Sequence, residues 1–289
     1  MEKTQGFYTV LSEDTKTQQQ VKLIGSLKRA NDRLNCVPGD SVRINEIEGT
    51  IQEIFPRKNL FLRPLIANVD KVLIVLSAKE PDLALDTLYK LLFQTYYNSA
   101  LPIIVITKCD LLTASERKTL TTKVQFLTQI EVPAIFLHNS GSSEELSLLK
   151  EFISNSVSTT AGPSGVGKST LINRLQTQRE AATGVISGRL KRGKHTTTLS
   201  TLMALDEKTY ICDTPGFLSL NLPEITDVFQ LLSGMPFLET FFGKCKYNNC
   251  THTNEPHCFF KKSVEEHPTL QPIYDFYLTI YSSIFQKRR

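Results

Sequence analysis

The chain reads as three units in series: a small all-β barrel, an α/β unit built on a parallel sheet, and a short Cys/His-rich unit ending in a helix. Three observations predict this. Clusters of β-branched and aromatic residues broken by turn chemistry fill the first sixty-odd residues. Continuous apolar runs of strand length then alternate with helix-length stretches. Finally, three of the six cysteines crowd between Cys245 and Cys258. The expected boundaries are 1–63, 64–220 and 221–289, in keeping with about 100 to 200 residues per domain.

Taken in order, Phe7–Leu11 and residues 21–24, 41–44 and 50–55 carry the strand signals, and Pro38-Gly39-Asp40 and Glu48-Gly49 punctuate them. Four or five short strands suit a small closed barrel, for which strand signals alone leave OB-fold and SH3-like arrangements equally open. Residues 71–76 form an unbroken apolar run of the kind buried on both faces of a parallel sheet. A helix is expected over 83–97, a strand over 102–107, a helix over 115–130 and a strand over 133–137. This alternation argues for an α/β unit. Residues 155–161 are expected to be a strand on context, because Ser156, Ser158, Thr159 and Thr160 make the run polar. Beyond about residue 220 the pattern is irregular and aromatic-rich, and a helix over 270–285 ends it.

Composition is that of an ordinary globular protein, with 40% hydrophobic and 21% charged residues. The formal charge of +4 is too small to imply nucleic acid by itself. Its basic residues cluster, however, at Arg189, Lys191, Arg192, Lys194 and His195 and at Lys287, Arg288 and Arg289. Such runs serve either as solvated surface or as contacts to phosphate backbone. The polar start Met1-Glu2-Lys3-Thr4-Gln5 lacks a signal-peptide core, and the apolar runs fall far short of the roughly 18 residues that span a bilayer. A cytoplasmic protein without a membrane partner is expected, and in a reducing compartment crowded cysteines read as a metal site.

The strongest motif is Gly162-Pro163-Ser164-Gly165-Val166-Gly167-Lys168-Ser169, followed by Thr170. It matches G-x-x-x-x-G-K-[ST] at every fixed position. Glycines let backbone N–H groups turn inward around a phosphate, and a following helix presents its positive end to the same charge. Lys168 is expected to reach the β- and γ-phosphates and Ser169 to bind magnesium. Asp213-Thr214-Pro215-Gly216 ends the apolar run Tyr210-Ile211-Cys212. There Asp213 would hold magnesium through water, and the Gly216 N–H would meet the γ-phosphate.

Thr107-Lys108-Cys109-Asp110 closes the strand before it. Asp110 suits two hydrogen bonds from a guanine edge, and an adenine would leave that carboxylate unpaired. Thr107 stands where such motifs usually carry Asn, which is expected to weaken support for the loop. Within His195-Thr196-Thr197-Thr198 a threonine would complete the magnesium shell; Thr197 is preferred, with the register among the three open. The order is permuted: base motif first, phosphate loop second, Asp213 last. Permutation can preserve a pocket, because a pocket depends on neighbours in space.

Cys245-x4-Cys250-x-His252-x5-Cys258 offers three thiolates and one imidazole, a closed set suited to tetrahedral structural zinc. His257 competes with His252 as the nitrogen donor.

Together these residues resemble the ribosome-small-subunit-dependent GTPase A family, circularly permuted bacterial GTPases that assist late assembly of the small ribosomal subunit. The resemblance covers nearly the whole chain: the barrel end near Gly49-Thr50-Ile51 and Pro56-Arg57, the motif order, Gly162 to Thr170, His195-Thr196-Thr197, Asp213 to Gly216 and the C-x4-C-x-H-x5-C spacing. It implies an OB-fold at the N-terminus and a zinc set of Cys245, Cys250, His252 and Cys258. It also implies a magnesium–GTP substrate released as GDP and phosphate, and contacts of both flanking units with ribosomal RNA of the small subunit. The expected protein is a monomer. One departure lies in the last base-contacting segment, where the family tends to carry Ser-Ala and this chain reads Leu137-His138-Asn139-Ser140-Gly141.

Phe217 follows Gly216, where many GTPases place a glutamine that orients water. Slow intrinsic hydrolysis is therefore expected, accelerated by a partner, with His195 the candidate for the missing group or else an RNA or solvent contact. Two rival classes are a P-loop ATPase carrying a zinc module, which Asp110 opposes, and a non-catalytic GTP-binding RNA scaffold, which Phe217 keeps open.

Overall fold

The computed structural model describes residues 3–4, 7–12, 17–28, 35–62, 65–138, 142–183, 201–213, 223, 225–241 and 243–285. His195, Thr196, Thr197, Thr198, Gly216, Phe217, residues 139–141 and both basic clusters lie outside them.

Strands β1 (Lys3–Thr4), β2 (Phe7–Leu11) and β3 (Gln18–Leu23) form an antiparallel meander. A short helix, α1 (Gly25–Lys28), leads to the hairpin of β4 (Val42–Asn45) and β5 (Thr50–Ile54). Strand β5 returns to pair in parallel with β3, giving the order β1-β2-β3-β5-β4. Of the two barrels left open by strand signals, this is the OB-fold. Alternate residues Tyr8, Val10, Val21 and Leu23 fill it together with Cys36 and Ile51, the period-two burial of a half-wet sheet.

A hairpin of β6 (Leu60–Leu62) and β7 (Leu65–Ala67), not anticipated from the sequence, leads on from the barrel. Gly39 approaches it so closely (φ +88°) that a Cβ there would lie 2.1 Å from the Ala67 carbonyl oxygen. Asn68 donates to the Gly39 carbonyl at 2.9 Å. Asp40 is buried and accepts from Arg57 Nε at 2.6 Å, Arg57 Nη2 at 2.8 Å and the Val37 N–H at 2.8 Å. Such a fork pairs a buried carboxylate that would otherwise be costly.

The central sheet is built from β8 (Lys71–Ser77), α2 (Leu85–Tyr97), β9 (Leu101–Thr107), α3 (Ala114–Val124), α4 (Phe126–Gln129), β10 (Ala134–Phe136), α5 (Ser143–Ile153), β11 (Val157–Ala161), α6 (Lys168–Thr183), β12 (Thr201–Ala204) and β13 (Tyr210–Asp213). Its order is β10-β9-β8-β11-β13-β12, parallel throughout except for β12. The chain lays β8, β9 and β10 outward, then crosses back to place β11 on the other side of β8. Open α/β sheets bind ligands at such a reversal, beyond the carboxyl ends of the strands. Along β8, Val72, Ile74 and Leu76 face one core with α2, while Leu73 and Val75 face the other with α5 and α6.

Strand β11 is fully buried at Ser158, Thr159 and Thr160 despite its polarity. Its backbone is paired on both sides, and its threonines carry the β-branch that suits a pleated sheet. The helix expected over 115–130 breaks at Gln125, which lets Phe126 enter the core and meet Tyr89 edge-on at 5.4 Å. The C-terminal helices α7 (Val228–Ser233), α8 (Phe259–Glu266) and α9 (Gln271–Phe285) do not form a detached module. Leu231, Leu238, Phe260, Ile273 and Tyr277 belong to the same core as α2 and the Val72/Ile74/Leu76 face of the sheet. No helix of the described residues is long and apolar enough to cross a membrane.

Candidate nucleotide site and metal centre

The phosphate-loop sequence leaves β11 and opens α6. Gly162 has φ +143°, and a Cβ there would lie 2.0 Å from the Val75 carbonyl oxygen, so only glycine lets this exit cross the end of β8. Gly165 and Gly167 also have positive φ, at +80° and +97°. Val166 turns inward as an apolar plug packed with the Leu171 and Ile172 core, and Ser164 and Gly165 stay exposed. Lys168 Nζ donates to the Gly162 and Pro163 carbonyls at 2.7 and 2.6 Å, laying its charge across the loop, and burial lowers its pKa. Ser169 and Thr170 are exposed on the first turn of α6.

Thr107 is the last residue of β9, and its Oγ1 donates to the Val166 carbonyl at 2.6 Å. A single bond therefore ties the base motif to the phosphate loop across 59 residues of chain. With threonine in place of the usual Asn, the hydroxyl is what reaches the loop carbonyl. Lys108 adopts a left-handed conformation (φ 57°), and its ammonium donates to the Glu80 carbonyl. Asp110 is exposed in the 3-10 turn Cys109–Leu111. The Cys109 N–H donates to the Leu137 carbonyl at 3.1 Å, and burial pushes its thiol up to about 11. On the other side, β13 pairs with β11 at Thr159↔Cys212, which brings the Asp213 backbone to the same end of the sheet.

The second constellation gathers around His252 Nδ1, with Sγ of Cys245, Cys250 and Cys258 at 3.5, 3.8 and 3.3 Å. Four ligands at ordinary Zn–S and Zn–N lengths would stand about 3.5 Å apart, so this spacing fits a tetrahedral ion. His257 is exposed and stands outside the cluster. The donors are oriented by their surroundings. The Phe259 N–H donates to Cys245 Sγ at 3.2 Å, the Tyr274 hydroxyl to the His252 carbonyl at 2.9 Å, and the Tyr277 hydroxyl to the Thr251 carbonyl at 2.6 Å. Burial pushes the Cys250 thiol up to about 12. A cation is what would make three thiolates stable in such a place, and a metal bound there would cross-link the surrounding segments.

Comparison with known proteins now bears on both sites. The profile described as RsgA GTPase matches residues 54–223, more than half of the chain. The chain belongs to the RsgA GTPase family. A GTPase of Fusobacterium nucleatum subsp. nucleatum named "Small ribosomal subunit biogenesis GTPase RsgA" is 42% identical over 276 residues, 95% of each chain. A Clostridium botulinum protein of the same name is 35% identical over 287 residues, 98% of this chain and 96% of its own. Among solved structures, YjeQ from Thermotoga maritima superposes with a TM-score of 0.78 at 26% identity, over 97% of this chain and 95% of that one. YloQ, described as a circularly permuted GTPase, gives 0.76 at 30%, over 100% and 94%.

In this RsgA-family GTPase the phosphate loop, Thr107 to Asp110 and the end of β13 share one end of one sheet, as the permuted order requires. His195, Thr197 and Gly216 lie outside the described residues. The sequence reading passed over Glu145. Its carboxylate takes the His138 and Ser142 N–H groups at 3.2 and 2.7 Å and the His138 imidazole at 2.7 Å. The signal was present as the Ser142-x-x-Glu145 spacing of a capping box.

Proposed function

We propose that the chain hydrolyses GTP to GDP and phosphate while bound to the small ribosomal subunit during its late maturation, and that the subunit stimulates hydrolysis. The observation that carries this reading is the Thr107–Val166 hydrogen bond, which joins base recognition to phosphate binding in one pocket. The names of the relatives supply the ribosomal partner. Asp110 reads the guanine, with Thr107 and Lys108 shaping its turn. The loop from Gly162 through Pro163, Ser164, Gly165, Val166 and Gly167 to Lys168, with Thr170 behind it, wraps the phosphates. Magnesium belongs with Ser169, Asp213 and Thr197, and supplies charge neutralisation at the β- and γ-phosphates. Gly216 meets the γ-phosphate, and His195 orients water when the partner is bound. Zinc is held by Cys245, Cys250, His252 and Cys258.

The unit boundaries proposed are 1–63, 64–220 and 221–289, with the OB-fold and the zinc unit gripping ribosomal RNA of a cytoplasmic particle around a monomeric GTPase. Phosphate release from GTP and ATP, with and without purified small subunits, tests the reading. Slow GTP turnover that rises with small subunits and not with large ones is the expected result. Binding without turnover would favour the scaffold reading that Phe217 motivates, and ATP turnover would overturn guanine choice.

A further inference from the structure

Leu137, just after β10, is bonded to the base motif at Cys109, and one side chain holds its neighbour His138 to Ser142 at the head of α5. Glu145 Oε2 accepts from the His138 N–H at 3.2 Å and the Ser142 N–H at 2.7 Å, while Oε1 takes His138 Nδ1 at 2.7 Å. Residues 138 and 142 are thereby drawn to a single carboxylate that is itself largely buried, at 22% side-chain exposure. A helix cap needs only the Ser142 half of this arrangement, in which Ser142 Oγ takes the Glu145 N–H at 3.2 Å. The bonds to His138 are surplus to capping and point away from the helix, toward the strand end.

That strand end is anchored in turn. The Leu137 N–H donates to the Ile106 carbonyl at 2.7 Å, and the Leu137 carbonyl accepts from the Cys109 N–H at 3.1 Å. Cys109 sits between Lys108 and Asp110. A continuous series of bonds thus runs from Glu145 through residues 138 and 137 to the turn that presents Asp110, with no step longer than 3.2 Å. We infer that Glu145 is a positioning residue for guanine recognition, its carboxylate holding His138, and through it Leu137, against the base-recognition turn. The inference rests on the nucleotide site proposed above. The same bonds, outweighing the upward push of burial, hold the Glu145 carboxyl below its ordinary range, so the carboxylate form that accepts all three persists at neutral pH.

The test compares Glu145→Ala with Ser142→Ala, which removes the helix cap and leaves the bonds to His138 in place. Both are measured by urea unfolding and by titration with GDP, and their turnover is measured across GTP concentrations. Glu145→Ala should weaken GDP binding about tenfold and raise KM correspondingly, with kcat at saturating GTP unchanged. Ser142→Ala should lose stability with nucleotide affinity intact. Glu145→Gln, which keeps one acceptor oxygen, should fall between wild type and Glu145→Ala. Wild-type affinity in Glu145→Ala would overturn the inference and leave the nucleotide site standing. So would equal weakening of GDP binding by both alanine variants, since capping alone would then account for it. Failure of the wild type to bind GDP would overturn inference and site together.

Discussion

Replacing Thr107 by valine isolates the bond that unites the two halves of the pocket. Valine keeps the volume and the β-branch of threonine, so no cavity forms and β9 is undisturbed. What disappears is the hydroxyl that donates to the Val166 carbonyl at 2.6 Å. Val166 is 1% exposed, so water cannot readily replace that donor. Leaving a buried acceptor unpaired costs about 1–3 kcal/mol. Where that cost falls on the nucleotide-competent loop, it corresponds to about 5- to 150-fold in affinity. The assay is equilibrium titration with a fluorescent GDP analogue, run beside urea unfolding. Thr107→Ser retains the donor and should stay near wild type. An affinity for Thr107→Val within about twofold of wild type, with an unchanged urea midpoint, would refute the argument that this hydroxyl holds the pocket together.

Four further outcomes are expected. Gly162→Ala should destabilise the fold by at least about 3 kcal/mol, because left-handed strain and a backbone collision coincide there. Gly165→Ala, with positive φ but open space around it, should cost only about 1–2 kcal/mol; urea midpoints separate the two. Stripping the metal, or Cys258→Ser, should lower the melting transition that the central sheet shares with the C-terminal helices, and separate calorimetric transitions for those two parts would contradict their shared core. With Cys250 held up to about 12 when metal-free, metal uptake at neutral pH should release protons, so apparent affinity should fall as pH falls. Burial pushes the Glu255 carboxyl up, but bonds from Thr251 and Thr253 outweigh it and hold it down at about 2. Its contribution is therefore complete above its ordinary 4.5 and lost as pH falls toward 2. Glu255→Gln should flatten that part of the acid-unfolding curve.

Much of this architecture was legible before any coordinates. Continuous apolar runs announced β8 and β9, and the glycine spacing announced the loop that crosses β8. What periodicity missed has physical causes. Strand β11 is buried by pairing on both sides and not by hydrophobicity, so Ser158, Thr159 and Thr160 carry no apolar pattern. Helix α5 carries Leu146, Leu149 and Ile153 at helical spacing behind a capping box, a signal that the reading of the sequence did not use. The choice of His252 over His257 depends on convergence in space, which spacing cannot express. That the Thr107 hydroxyl reaches the Val166 carbonyl depends on how β9 and the loop meet in space, which the motif alone does not express.

The crossover that returns the chain from β10 to β11 also sets a timetable. During synthesis β8 is complete at Ser77, but the strand that pairs with its inner edge begins only at Val157, 80 residues later. At about 5–20 residues per second that interval lasts roughly 4–16 s. Throughout it the nascent chain carries β8 and β9 with one flank of β8 unpaired, an apolar edge open to wrong partners. The proposed base-recognition motif emerges first and the phosphate-loop motif follows. Nucleotide therefore cannot assist folding until β11 and its loop have left the exit tunnel, and among the described residues the finished structure upstream is the OB-fold and the β6–β7 hairpin.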